Sequence, residues 1–189
     1  MDHSKEPVAT VIERFYHWEK TTPNNIFLRQ PKGANWKEIT YAEAGQEVRK
    51  MVTALQGLGL EKGDHIGIYS KNCYHWFLAD LAIMMGGYVS VPLYASLPKQ
   101  QLQDVIDLGD IKAIFLGKLE SWGDKSNAIP ENVLAIKFPH YEGNAEVNIG
   151  KDWNELIASS EPMEENFVPG LDVYGRLSLL PVRQVLLKV

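Results

Sequence analysis

Residues 65–80 hold the densest set of side chains able to do chemistry: His65, Ser70, Cys73, His75 and Asp80. Imidazole and thiolate are ordinary zinc ligands, and His140 would add another. The spacing argues against a metal, because no pair repeats the C-x-x-C interval of a structural zinc site and His140 lies far along the chain. Ser70 sits between two apolar runs, on a strand-to-helix turn of the sort that presents a nucleophilic serine, but the G-x-S-x-G frame is missing. Ser70 or Asn72 is therefore expected to cap the helix that follows. Asp80 stands alone on an apolar segment and needs a hydrogen-bond partner once buried.

Two glycine patterns also invite a phosphate-binding reading. Gly57, Gly59 and Gly63 end a helix and lead into a strand, the reverse of the order that points a helix N-terminus at phosphates. Gly117-Lys118 has Lys112 where a Walker loop needs its first glycine. Helix capping and tight turns account for both. No catalytic, cofactor-binding or metal-ligating residue is expected in this chain.

The elements that position these residues follow from hydrophobic periodicity. Residues 65–94 open with a strand-sized apolar run, continue through an apolar segment long enough for about three helical turns, and close on Gly86-Gly87 and a second β-rich run at 88–91. This is a β-α-β unit. Before it, residues 7–20 repeat Val8, Val11, Ile12, Phe15 and Trp18 at helical spacing. Residues 26–28 and 36–39 flank Pro31-Lys32-Gly33 as a small antiparallel hairpin. Thr40 and Glu43 form a capping box for a helix whose stripe is Tyr41, Ala44, Val48, Met51, Val52 and Leu55. After it, a helix is expected at 99–108 with Leu102, Val105, Ile106 and Leu108 buried. Strands at 113–116 and 133–138, a short helix at 153–157 capped by Asp152 and an acidic linker at 161–166 follow. Strands alternating with helices imply an α/β protein with a parallel sheet, right-handed crossovers and flanking helices.

Composition narrows the function classes. At 189 residues, 45% hydrophobic and 23% charged, the chain has material for one core. A formal charge of -5 with no basic cluster argues against a nucleic-acid partner. The single Cys73 cannot form an internal disulfide, and the polar start MDHSKEP lacks a secretory apolar core, so a cytoplasmic setting is expected. The most apolar stretch, residues 76–85, is too short to span a bilayer and contains Asp80.

Several separate segments carry a resemblance. W-K-E-I-T-Y-A-E (36–43), L-G-L-E-K-G-D-H-I-G-I-Y-S-K-N (58–72), W-F-L-A-D-L-A-I (76–83) and G-G-Y-V-S-V-P-L-Y-A-S-L-P (86–98) occur in the order found at the start of AMP-forming acyl-CoA synthetases. Within that family the chain is most similar to long-chain fatty acid–CoA ligases, over about residues 8–173. The resemblance implies the first part of an N-terminal adenylation domain, a partial flavodoxin-like sheet, incomplete by itself. It implies a parent reaction in which a fatty carboxylate attacks the α-phosphate of Mg-ATP to give acyl-adenylate and diphosphate, after which coenzyme A displaces AMP. ATP, Mg²⁺ and CoA would be the parent's cofactors, and fatty acid its substrate. Its greasy substrate is compatible with peripheral membrane contact, although nothing in these residues is an anchor. Another AMP-forming ligase of different acid specificity, or a non-catalytic α/β interaction module, are the alternative readings; a free-standing nucleotide-binding domain is disfavoured by the glycine order.

The family's phosphate loop, of the form S-G-T-T-G-x-P-K-G, should follow Pro169-Gly170-Leu171-Asp172-Val173, where YGRLSLLPVRQVLLKV (174–189) stands instead. The magnesium-binding glutamate, the nucleotide contacts and the lid lysine of the family have no counterpart here either. Residues 181–189 can be encoded as CCG GTA CGA CAG GTA CTC CTA AAG GT; re-divided after one preceding T, with synonymous codons chosen to agree, this reads S-G-T-T-G-T-P-K-G at all nine positions. Upstream, removing two nucleotides near the Tyr174 codon yields W-T-I-I-S-T leading into that motif. The expectation is thus a domain portion at 1–173 and an out-of-frame tail at 174–189, inactive alone and prone to self-association through uncovered apolar surface. The competing reading is a divergent C-terminus. Sequencing the coding DNA downstream of codon 174 decides between them: the other frame should encode the remaining family motifs, and their absence there would refute the shift.

Overall fold

The computed structural model describes residues 10–168. The expected tail at 174–189, and residues 7–9 of the first expected helix, lie outside the described residues.

The chain begins with α1 (Val11–Thr21), whose N-cap Thr10 closes a capping box with Glu13. Each side chain there satisfies a backbone N–H that the helix end would otherwise leave unpaired. β1 (Ile26–Lys32) and β2 (Asn35–Thr40) form the expected antiparallel hairpin, turning at Gly33, whose φ of 59° suits glycine. Thr40 and Glu43 form the second capping box, starting α2 (Tyr41–Gly57). Its expected stripe is largely the buried one: Ala44, Val48, Met51, Val52 and Leu55 are inaccessible to solvent, and Tyr41 is half-buried.

The β-α-β unit follows as β3 (His65–Tyr69), α3 (Tyr74–Gly86) and β4 (Val89–Leu93), with β3 and β4 parallel. α3 ends at Gly87 in the left-handed region (φ 77°), a conformation that glycine adopts without a Cβ penalty. α4 (Lys99–Leu108), β5 (Ile111–Leu116), a 3-10 turn (Gly123–Ala128), β6 (Leu134–Lys137), β7 (Lys151–Asp152) and α5 (Trp153–Ser159) complete the described fold. Asp152 caps α5 as expected, accepting from the N–H groups of Asn154 and Glu155.

The main sheet has five strands in the order β4-β3-β5-β6-β7, and every pair is parallel. Numbered by entry into the sheet, this is 2-1-3-4-5, the flavodoxin-like order. Both faces are covered. Ile66, Ile68, Ala113, Phe115 and Ile136 point into a core shared with α1, α2, α3 and Trp153, whereas Tyr69, Ile114 and Leu116 point into a second core with Leu102, Ile106 and Trp122. Alternation along β3 and β5 splits their apolar residues between the two layers, as a central parallel strand requires.

Two expectations need correction, and one strand was not expected. The N-cap of α3 is Cys73, without any side-chain capping bond, because the Ser70 hydroxyl is engaged elsewhere. Leu108 is 73% exposed, since Leu102 and Ile106 one turn apart already define the buried face of α4 and Leu108 lies round the other side; Val105 is only half-buried. The two-residue β7 carries too short a pattern to stand out in the sequence. Among the described residues no helix is long and apolar enough to cross a membrane.

Candidate functional site

In open parallel sheets, ligands settle beyond the carboxyl ends of the strands where neighbouring crossovers diverge. That point here lies between β3 and β5, because the chain leaves β3 toward β4 on one side and later returns as β5 on the other. The residues gathered there are Ser70 and Lys71 after β3, and Gly117 and Lys118 after β5.

The two loops are bonded to each other. The Gly117 N–H donates to Tyr69 O at 3.2 Å and the Lys71 N–H to Lys118 O at 2.9 Å. Ser70 Oγ accepts from the Lys118 N–H at 3.0 Å and donates to Lys71 O at 2.8 Å. A Cβ on Gly117 would lie 2.6 Å from Ser70 Oγ and 2.2 Å from the Phe138 ring, so only glycine lets the loops meet. The main-chain N–H groups of Lys71, Gly117 and Lys118 are therefore committed to protein acceptors. Gly117-Lys118 thus forms a hydrogen-bonded seam with Ser70-Lys71.

Around the seam the expected candidates separate. His75 is 2% exposed on the first turn of α3, stacked on Phe138 at 5.5 Å and edge-on to Trp153 at 5.3 Å. Its Nδ1 shares a 2.7 Å hydrogen bond with the Tyr141 hydroxyl. Burial, with a smaller contribution from Lys37, pushes its pKa down to about 3, while burial pushes the Tyr141 phenol well above its usual value. Both groups are thus neutral, and the pair ties α3 to the loop after β6. Cys73 is buried with Sγ 3.9 Å from Ser70 Oγ. His65 starts β3 at the opposite end of the sheet, with Nδ1 2.5 Å from Gly109 O, and His140 Nε2 bonds Asn144 O at 2.9 Å. Cys73 and His75 both contact Tyr141, His65 and His140 lie apart from them, and no metal-binding group of side chains occurs among the described residues.

Asp80 has the partner its burial demands: Ser90 Oγ donates to its carboxylate at 2.6 Å. Burial raises its pKa and the Ser90 bond partly opposes the shift. The pair fastens α3 to the edge strand β4.

Beside the seam, a cleft of about 160 Å³ opens between Lys118, Lys137, Phe138, Tyr141, Glu146 and Asp152. Two ammonium groups face two carboxylates, and Asp152 is already occupied as the α5 cap. This balance gives no net attraction for a polyphosphate. Tyr141 is the residue that sequence reasoning missed, since it lies 66 positions from His75 in no recognisable motif.

The sequence of residues 15–166 matches the family described as AMP-binding enzyme. The chain belongs to that family. It is 28% identical over 105 residues to the long-chain-fatty-acid–CoA ligase FadD15 of Mycobacterium bovis, a match covering 56% of this chain and 18% of the relative. It is 37% identical over 88 residues to fatty acyl-CoA synthetase A of Dictyostelium discoideum, covering 47% of this chain and 13% of that protein. The chain thus spans less than a fifth of the length of these relatives. Its fold superimposes on acetoacetyl-CoA synthetase from Streptomyces lividans with a TM-score of 0.70 at 20% identity, over 83% of this chain and 26% of that one. The α/β sheet therefore has the fold of part of these larger chains.

The neutral buried His75 has a consequence for stability. Its folded pKa lies below the ordinary 6.5, so its contribution is complete above that pH and is lost as pH falls from 6.5 toward 3. Urea titrations between pH 7 and 5 should show stability falling with a component approaching ~1.4 kcal/mol per pH unit that is absent in His75→Gln. Equal pH slopes for the two proteins would show that His75 is not buried neutral.

Proposed function

We propose that residues 1–173 are the N-terminal part of the adenylation domain of a long-chain fatty acid–CoA ligase. The parent reaction joins fatty acid, ATP and CoA into acyl-CoA, AMP and diphosphate through an acyl-adenylate, with Mg²⁺ on the nucleotide. The observation that carries this reading is the family match across residues 15–166, with fatty acyl-CoA ligases among the relatives at 28% and 37% identity. The order of the quoted segments supports it, because they fall on consecutive pieces of the sheet: 58–72 on the turn into β3 and β3 itself, 76–83 on α3, 86–98 on β4 and the loop after it.

The 189-residue chain is proposed to be inactive on its own. Phosphoryl chemistry depends on preorganised donors aimed at the charge that develops in the transition state. At the carboxyl ends of β3 and β5 the N–H groups of Lys71, Gly117 and Lys118 bond protein acceptors, and residues 174–189 do not carry the family's phosphate-loop sequence. A second reading, a non-catalytic interaction module, draws on the free edge of β4 and on Phe77 and Tyr94, which are 43% and 78% exposed.

ATP–diphosphate exchange with a long-chain fatty acid tests the proposal. The purified 189-residue chain should show no exchange, and turnover would overturn its inactivity. A protein with the alternative frame restored from codon 174 onward should make acyl-CoA from long-chain acids; activity confined to another acid class would move the reading to a ligase of different specificity.

A further inference from the structure

Arg49 on α2 links α1 to residues 163–166, beside a direct bond between Tyr16 of α1 and Phe167 O. Its Nη1 and Nη2 donate to the two carboxylate oxygens of Glu19 on α1 at 2.6 and 2.7 Å. Its Nε and Nη2 also donate to Asn166 Oδ1 at 3.2 and 3.0 Å, and its carbonyl accepts from the Met163 N–H at 3.4 Å. The ion pair is well shielded, at 13% and 17% side-chain exposure, and the Glu19 bond raises the guanidinium pKa further. α2 makes room for it with Gly45, where a Cβ would lie 1.7 Å from Glu19 Oε1.

Residues 161–167 cross this point as a strap with no helix or strand, and none of them is buried. Beyond Arg49, the strap is held by the Tyr16 hydroxyl donating to Phe167 O at 3.0 Å and by the Lys62 ammonium 4.4 Å from the Phe167 ring. It roofs a cavity of about 260 Å³ floored by Gln56, Lys62, Met85 and Gly86. Met163 also packs against the core, but a segment with no buried residue and no helix or strand opens at lower free energy than a sheet whose residues are inaccessible to solvent.

We propose that residues 161–167 open as a unit separate from the sheet, and that Glu19, which touches none of them, controls that opening through Arg49. The bidentate carboxylate fixes the guanidinium in the one orientation that also serves Asn166. Without Glu19 the arginine regains rotamer freedom, and the strap must bear that ordering cost itself. The consequence for catalysis rests on the proposed function: the strap precedes in sequence the position where the family's phosphate loop is expected, so the docking of α1 would govern how that loop is mounted.

Hydrogen exchange by mass spectrometry on the 189-residue chain tests the relay and involves no adenylation, so its outcome is separate from that of the ATP–diphosphate exchange. Glu19→Gln should speed exchange across residues 161–167 about fivefold or more, with β3 and β5 amides as protected as in the wild type. In Glu19→Gln/Asn166→Ala the strap should exchange little faster than in the more affected single variant, because both remove the same link. Unchanged strap exchange in Glu19→Gln, multiplicative effects of the two substitutions, or simultaneous opening of β3 and β5 would each overturn the proposal.

Discussion

A parallel strand covered on both faces has no solvent side, and this constraint on β3 and β5 places almost everything else in the molecule. Ile66 and Ile68 require a helical layer on one face; Tyr69, Ile114 and Leu116 require another on the opposite face. α1, α2, α3 and α5 meet the first demand, and α4 with the 3-10 turn meets the second. The hairpin of β1 and β2 is an accessory, joined to the first turn of α3 through Gln30 and Lys37, which bond the Tyr74 N–H and hydroxyl.

The same burial decides what the carboxyl end of the sheet can do. Loops that emerge from two adjacent buried strands must satisfy their first backbone groups near a dry core. In this chain they do so with each other, through Ser70, Lys71, Gly117 and Lys118. The rings of Phe115, Phe138, His75 and Trp153 pack on one another beside the seam. Membership in the AMP-binding family and a closed switch point are compatible once the segment is read as the part that carries a site rather than forms one.

Much of the fold was legible because its signals are local. The Thr40–Glu43 box, the stripe on α2, the glycines after α3 and the Asp152 cap each act within a few residues, and each is realised. The Thr10–Glu13 box was equally local and went unread. Long-range pairings left no such trace. Nothing near His75 announces Tyr141, and nothing near Ser70 announces that its hydroxyl binds the Lys118 N–H rather than capping α3. Leu108 shows the opposite error, an apolar residue assigned inward although the helical angle from Ile106 turns it outward. The spacing that argued against a metal has a geometric counterpart: His65 starts β3, whereas His75 lies on the first turn of α3, beyond the other end of that strand.

The central claim is that the β3–β5 crevice is sealed by its own main chain. The most direct measurement is an NMR titration of ¹⁵N-labelled 189-residue protein with Mg-ATP, following the amides of Lys71, Gly117 and Lys118. The sealed seam predicts that all three stay at their free chemical shifts through millimolar nucleotide and remain slow to exchange with solvent. Saturable, stoichiometric shifts at these three amides would show that the crevice opens to a nucleotide, and would contradict the account.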